Sequence, residues 1–293
     1  MSDLYFFEYF VNSHQRIYWI YIITTLLIAS IYLSYYPKEK KVNLSKKLWL
    51  HQSATLDYRY FAISFFIKIW LVMPILFGAN EVAIFTRNLL TDNFGFYLYR
   101  GLSKNEIMIL FTLSLFIVSD FTRYWLHRFM HTIPLLWKFH EVHHSAKVLT
   151  PITFYRVHPI ENILFGFRFS LSVGIVTGIF IYIFGARLSL LDVLGVNVII
   201  FVFNMLGSNL RHSHIKLKYF KWLENIFISP YQHQIHHTTK FYNYNFGGTL
   251  SLWDVFFKTL KYSSDIKYMQ FGLGKKTHFK SVLDLLLLRR TNA

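Results

Sequence analysis

Histidine is the residue whose spacing could do chemistry in this chain of 293 residues, which holds 14 histidines and no cysteine. His127-Arg-Phe-Met-His131 is an HxxxH pattern. Positions i and i+4 share one helix face, so both imidazoles can reach one cation. His140-Glu-Val-His143-His144 is HxxHH, and its three histidines again point one way on a helix. His233-Gln-Ile-His236-His237 is a second HxxHH, about 90 residues later. Between them lie His158, in Arg156-Val-His-Pro159, and His212, in Arg211-His-Ser-His214. Eight imidazoles packed together without purpose would be costly to desolvate and would repel if protonated. A metal ion selects the neutral ring and resolves both costs. Eight to ten histidines exceed the needs of one ion and fit two ions in a shared site. An all-nitrogen donor set suits Fe, Zn or Cu rather than Mg or Ca. Isolated histidines such as His14, His51 and His278 read as ordinary hydrogen-bonded residues. The missing cysteines exclude disulfides, thiolate sites and cysteine nucleophiles.

The elements that must position these rings are apolar helices. The chain is 54% hydrophobic, 20% aromatic and 16% charged, with a mean hydropathy of +0.32. Soluble domains carry about 25% charged residues, so this composition excludes an ordinary soluble globule and a disordered chain. Five stretches approach the roughly 20 residues that a spanning helix needs. They are 17–35, 60–77 with Lys68 inside, 106–121 continuing into Tyr124-Trp125-Leu126, 160–184 with Arg168 inside, and 188–206. Gly185-Ala186-Arg187 alone separates the last two, which reads as a tight hairpin that either spans fully or re-enters over 160–208. The net charge of +16 fits the bias of basic residues toward the cytoplasmic loops. With the N-terminus outside and five crossings, 24 basic residues fall on one face and 5 on the other. Both histidine-rich segments, 127–158 and 212–237, then lie on the cytoplasmic face. The opening residues, 1–16, lack a small-residue cleavage site and read as no cleaved signal. The expected fold is therefore all-α: an integral membrane helical bundle of about 4–5 spanning or re-entrant helices under a cytoplasmic, histidine-rich helical cap. Without repeats or linkers, residues 1–293 read as a single membrane domain.

The order HxxxH, HxxHH, HxxHH between apolar spans resembles the fatty acid hydroxylase / sterol desaturase superfamily of integral-membrane di-iron enzymes. The resemblance covers 120–274. Trp137-Lys-Phe-His140-Glu-Val-His143-His144-Ser145 resembles the second box with its trailing Ser. Arg211-His212-Ser213-His214-Ile215 resembles a segment ahead of the third box, which implies His212 as a ligand and leaves His214 in support of the ligands. Asn245-Phe246-Gly247 and Ser251-Leu252-Trp253-Asp254 match the stretch that follows. The acidic residue often found just before that Asn is absent, since Asn243 and Tyr244 stand there. The metal ligands the resemblance implies are His127, His131, His140, His143, His144, His158, His212, His233, His236 and His237. Asp120, His214 and Asn245 are expected to support them. It implies two Fe ions, with Zn able to replace iron in purified protein, and O₂-dependent hydroxylation or desaturation of a sterol, fatty acyl or related lipid from the bilayer. Phe139, Phe154, Trp125 and Trp137 flank the ligands and are candidates for an apolar slot.

Reducing equivalents must come from outside, because the chain has no GxGxxG fingerprint and no CxxCH haem site. A cytochrome b5-like protein, a ferredoxin or a flavoprotein reductase is the expected electron donor, docking on basic residues such as Lys261, Lys267, Lys275 and Lys276. Arg123, Arg128 and Arg156 are read as headgroup contacts or as side chains snorkelling to the interface. Glu141 is no metalloprotease base, since HExxH is not formed, and it is expected to face solvent or the cap. Nucleic acid is excluded as a partner by the lack of a soluble domain and motif. The competing function is a histidine-rich membrane metal transporter, which would want ionisable residues along a mid-membrane path rather than at span ends.

Overall fold

The computed structural model describes residues 8–266, 268–274 and 277–292. The 1–7 segment, Lys267, Lys275 and Lys276 therefore lie outside the described residues. Helices dominate. Helix α1 is Trp19–Tyr35, α2 is Gln52–Ile67 and α3 is Ala79–Phe94. The two long helices are α4, Lys104–Thr132, and α6, Pro159–Phe184, with the short α5, Pro134–His144, between them. Strands β1 (Asp192–Val193) and β2 (Val196–Asn197) form a small hairpin before α7, Val198–Met205. Helix α8, Pro230–His236, carries the last histidines.

Three helical segments are long and apolar enough to cross a bilayer: 52–94, α4 and α6. The first of these is longer than the 60–77 stretch read from hydropathy. It runs from α2 through a π-helical turn at Lys68–Val72 and a 3-10 turn at Met73–Ile75 into α3. Pro74 explains the break, because its ring and missing N–H cannot continue an α-helical ladder. Helix α1 has 17 residues, short of a full span. The expected fifth span is not a helix. Residues 188–197 turn through the hairpin, with Leu194 and Gly195 at positive φ, and α7 has only eight residues. The hairpin is pinned to α4 where Leu191 N–H donates to Thr112 Oγ1 (2.9 Å) and Asn197 Nδ2 donates to Thr112 O (3.0 Å).

Helix α4 starts with a capping box, Ser103 Oγ receiving Glu106 N–H while the Glu106 carboxylate accepts Ser103 N–H. It ends at Ile133, which Pro134 forces into an extended conformation, and Pro134 then opens α5. This sharp turn folds α5 back on the end of α4. Helix α6 runs antiparallel to α4, with Phe111 against Phe180 and Arg168 against Ser119, and alongside α3. Gly174 and Gly178 make that second contact possible. A Cβ on Gly174 would lie 2.4 Å from Val82 Cβ, and one on Gly178 2.6 Å from Ala83 O. Small residues let helix backbones approach in this way. The outer faces expose apolar side chains such as Leu26, Phe66, Trp70, Phe85, Ile117 and Phe169.

The cap is less helical than expected. After α7 the described chain is mostly turns, with α8, two shorter helical turns at Lys221–Glu224 and Leu252–Phe256, and a six-residue helix at Val282–Leu287. The C-terminal part packs behind α5, where Val142 meets Leu56, Tyr60, Phe279 and Leu285.

Candidate metal centre

The turn at Ile133–Pro134 sets the histidine faces of α4 and α5 opposite each other, and α8 closes over them. Two nests of imidazoles result. The first joins His127 and His131 of α4, His140 and His144 of α5, and His236 of α8. The second joins His143 of α5, His212 from the 3-10 turn 208–212, and His233 and His237. Within each nest one nitrogen from every ring lies within 4.8 Å of the others. Each HxxHH is thus divided. Its i and i+4 members face one way and its i+3 member points off to the side, so α5 and α8 each serve both nests. The nests share a wall: His144 of the first and His237 of the second stack at 4.6 Å between ring centroids, and His236 and His237 meet edge-on at 5.5 Å.

The donor atoms already stand at ligand spacing. In the second nest His212 Nε2 lies 3.2 Å from His143 Nε2, 3.1 Å from His237 Nε2 and 3.2 Å from His233 Nε2. In the first, His127 Nε2 and His140 Nε2 are 3.1 Å apart. Nitrogens bound at about 2.0–2.1 Å to one ion come about 3 Å from each other. Both ring nitrogens of His131 and His144, Nδ1 of His233 and Nε2 of His236 are buried with no hydrogen-bond partner among the described residues. Orphaned buried nitrogens cost free energy that a cation would recover, so the residues fit a pair of nitrogen-loving ions. Burial pushes His143 down to about 4, with His140 adding to the shift and Glu161 opposing it. Burial first, and neighbouring charges second, push His144, His212, His233, His236 and His237 well below the ordinary imidazole range. The rings are neutral at physiological pH, the state a metal needs.

Several rings are held by their second nitrogen. His127 Nδ1 contacts Phe246 O (2.8 Å), His236 Nδ1 contacts Tyr244 O (2.8 Å), His143 Nδ1 contacts Arg156 O (3.2 Å), and His140 Nδ1 contacts Glu161 Oε1 (2.9 Å). Each acceptor fixes a proton on Nδ1 and aims Nε2 into the nest. Asn245 sits between two of these carbonyls at φ +57, and its amide ties Gln232 O, Lys261 O and Lys261 N–H together. It therefore supports the loop that holds His127 and His236.

Other expected site residues are placed elsewhere. His158 is in neither nest: its Nδ1 caps α6 by accepting Ile160 N–H (3.2 Å), and its Nε2 contacts Leu286 O (3.1 Å). With both nitrogens engaged, it serves the start of α6. Asp120 orients no ring; it accepts Thr249 N–H, Leu250 N–H and Trp253 Nε1–H, and so anchors the loop after Gly247 to α4. His214 accepts Leu149 N–H at 3.3 Å, outside the nests. Glu141 is buried and paired with Arg290 (2.5 Å) rather than facing solvent. Arg156 reaches no headgroup. It is buried on Asp57 (2.5 Å) and Ser145 Oγ (3.0 Å). Of the four aromatics, Trp137 lies against His131 and His144, and Phe154 against His212. Phe139 packs on His158, and Trp125 on Phe257. Glu161 was not singled out from the sequence, though a carboxylate in the first turn of an apolar helix was a visible signal. A cavity of ≈ 1120 Å³ lies at the opposite end of α4 and α6, lined by Arg87, Tyr97, Phe111 and Tyr182. It is remote from both nests.

Comparison with known proteins agrees with this arrangement. The profile of the fatty acid hydroxylase family matches residues 112–259, just over half of the chain and all nine histidines of both nests. Alkylglycerol monooxygenase of Danio rerio is 31% identical over 152 residues, 51% of this chain and 30% of that protein. Ornithine lipid hydroxylase OlsE of Rhizobium tropici is 29% identical over 140 residues, 47% of this chain and 38% of its own length. Very-long-chain aldehyde decarbonylase GL1-7 of Oryza sativa subsp. japonica is 30% identical over 157 residues, 51% of this chain and 23% of that protein. The chain thus spans well under half the length of these relatives. No solved structure matches it.

Proposed function

The chain belongs to the fatty acid hydroxylase family, and on that premise we propose that it is a di-iron oxidoreductase that uses O₂ to hydroxylate or desaturate a lipid drawn from the bilayer. The observation that carries this reading is the pair of adjoining nests, nine imidazoles, eight of them buried and His127 half-buried, with donors at ligand spacing. Breaking an unactivated C–H bond is beyond acid–base side chains, and two irons with external electrons would supply the oxidant. His127, His131, His140, His144 and His236 would hold one ion, and His143, His212, His233 and His237 the other. The chain's own residues do the rest. Glu161 keeps the proton on His140 Nδ1, the carbonyls of Phe246 and Tyr244 do the same for His127 and His236, and Trp137 and Phe154 shield the nests from water. The relatives, an alkylglycerol monooxygenase, an ornithine lipid hydroxylase and a very-long-chain aldehyde decarbonylase, are named for lipid and lipid-derived substrates and support this class.

In this reading the protein is multi-pass, with the histidine cap on the cytoplasmic side, as the distribution of basic residues supports. Electrons come from a separate cytochrome b5-like, ferredoxin or flavin partner. A transporter would need a lined path across the helices, whereas the nests are closed in at one end of α4 and α6. The test is metal content per chain in protein purified without oxygen, for wild type and His143→Ala, followed by product analysis with O₂ and a reductant. Two irons per chain, falling sharply in the variant, are expected. One metal or none in the wild type would overturn the di-metal reading.

A further inference from the structure

Beside the nests lies a set of charges that the metal centre does not use. Three arginines meet at the loop at Gly248 and the neighbouring turn of α4, and a fourth, Arg16, lies close enough to feel the charge of Arg123. Arg123 packs on Gly248, its Cδ 2.7 Å from where a Cβ there would sit, and Arg211 Nη1 donates to Gly248 O at 2.6 Å. Arg168 reaches from α6 to Ser119 O (2.7 Å), Ser119 Oγ (3.1 Å) and Thr122 Oγ1 (3.2 Å), next to Arg123 on α4. Arg16 donates to Asn204 Oδ1 (2.9 Å) and lies over the Phe154 ring at 5.2 Å, and that ring is 5.9 Å from His212. Arg123 is one helical turn from His127.

No carboxylate pairs with them directly. Among the described residues none of the four comes within ion-pair distance of a carboxylate; the ion pairs found there use His140, Arg156, Lys216 and Arg290. Asp120 and Glu161 are the near acids and act only at a distance: both oxygens of Asp120 are taken by Thr249, Leu250 and Trp253, and Glu161 holds His140. The neighbours that do accept from the four are neutral carbonyls, hydroxyls and an amide. Arg211 is 3% exposed, and its Nε, like that of Arg168, has no hydrogen-bond partner among the described residues. Burial and the charge of Arg123 push Arg16 down to about 10. A buried cation such as Arg211 without a carboxylate partner is costly, and charges at the depth of apolar helices mark a path or a site.

We propose that the lipid acted on carries an anionic headgroup, a carboxylate or a phosphate, bound by Arg16, Arg123, Arg168 and Arg211. The planar guanidinium fork matches both anions, and one anion reached from several sides offsets the crowding of like charge. Phe154, between Arg16 and His212, is the apolar surface on which the first carbons of the chain lie on their way to the nests. This rests on the reading of the nests as an oxidising metal site.

The experiment is competition binding to the full-length, iron-loaded protein in nonionic maltoside micelles, with palmitate, hexadecyl phosphate and methyl palmitate at equal mole fraction. The three share a sixteen-carbon chain and differ in charge. Palmitate or hexadecyl phosphate is expected to bind at least about tenfold more tightly than the ester, the scale of lost charge-assisted hydrogen bonds. The stronger of the two identifies the headgroup. Arg123→Gln should erase most of that preference and leave ester binding unchanged. Arg16→Gln, away from the Gly248 loop, should do the same and decides the matter if Arg123→Gln loses iron or thermal stability. Equal binding of acid and ester, or a preference that survives in both folded variants, overturns the proposal. Charge-selective binding without oxidation by a protein holding two irons would instead overturn the oxygenase reading alone. Oxidation of the ester as readily as the acid would overturn the anion site alone.

Discussion

Glu161 illustrates how a single side chain governs a ligand without touching the cation. Its carboxylate holds His140 Nδ1 at 2.9 Å. Replacing such a partner typically costs about 10–100-fold in metal affinity. Glu161→Gln is expected to lower retention of iron by that factor under chelator competition while leaving the fold intact, and retention equal to wild type would remove Glu161 from the centre. The histidines also make stability depend on acid. His143 lies near 4 when folded, against about 6.5 for a free imidazole, so the unfolded chain binds more protons in between. The stabilisation is complete above about pH 6.5 and drains away as the pH falls toward about 4, and the melting temperature of metal-free protein should fall over that window. A flat profile would contradict it. Eight of the nine clustered rings were legible at this scale because i, i+3 and i+4 spacing is written in the sequence. Their backbone acceptors at Tyr244 and Phe246 were not, since a carbonyl leaves no letter. His158 looked like a ligand by composition, yet His158-Pro159 also carries the signature of a helix start, and capping prevailed.

At the scale of elements, hydropathy found α4 and α6 correctly and overread 188–206. Apolarity says that a segment is buried in protein or lipid; it does not say that the segment is helical. Gly195 in Leu194-Gly195 and Asn197 as N-cap of α7 were the letters that broke that stretch. The π-helical turn after α2 was equally hidden, because Lys68 read as a tolerable interruption and Pro74 was passed over within the stretch. Packing of α3 on α6 depends on the absence of side chains at Gly174 and Gly178. Gly174→Leu or Gly178→Val forces the helices apart, at a cost of about 1–3 kcal/mol each. Lower melting temperatures in detergent are the expected readout, with iron content per folded chain unchanged, since neither glycine approaches the nests.

For the whole molecule, the two nests are the meeting point of α4, α5, α8 and the 208–212 turn. The apolar helices pack on one another, while the cap packs in smaller clusters such as Tyr231, Ile235 and Ile266. Removing the cations with a chelator is expected to raise hydrogen exchange over 208–274 and around α5, while amides in the middle of α4 and α6 stay protected. Uniform loss of protection would mean that metal and helices form one cooperative unit. The architecture of apolar helices carrying a histidine cap was legible from composition and spacing. The division of nine rings into two nests was not, because it depends on how far α8 rotates against α5.

The nests join residues as distant in sequence as His127 and His237, with α6, the hairpin and α7 threaded between them. A contact closing so long a loop is slow to form, and its entropy cost must be met before any ligand bond repays it. If the nests hold iron as proposed, insertion of the long helices would precede assembly of the centre, and the incoming cation would act as a folding reagent for the cap. A chain made while iron is scarce would then be in place but open at its cap and exposed to proteolysis there, so iron supply would set how long the protein survives as well as whether it works.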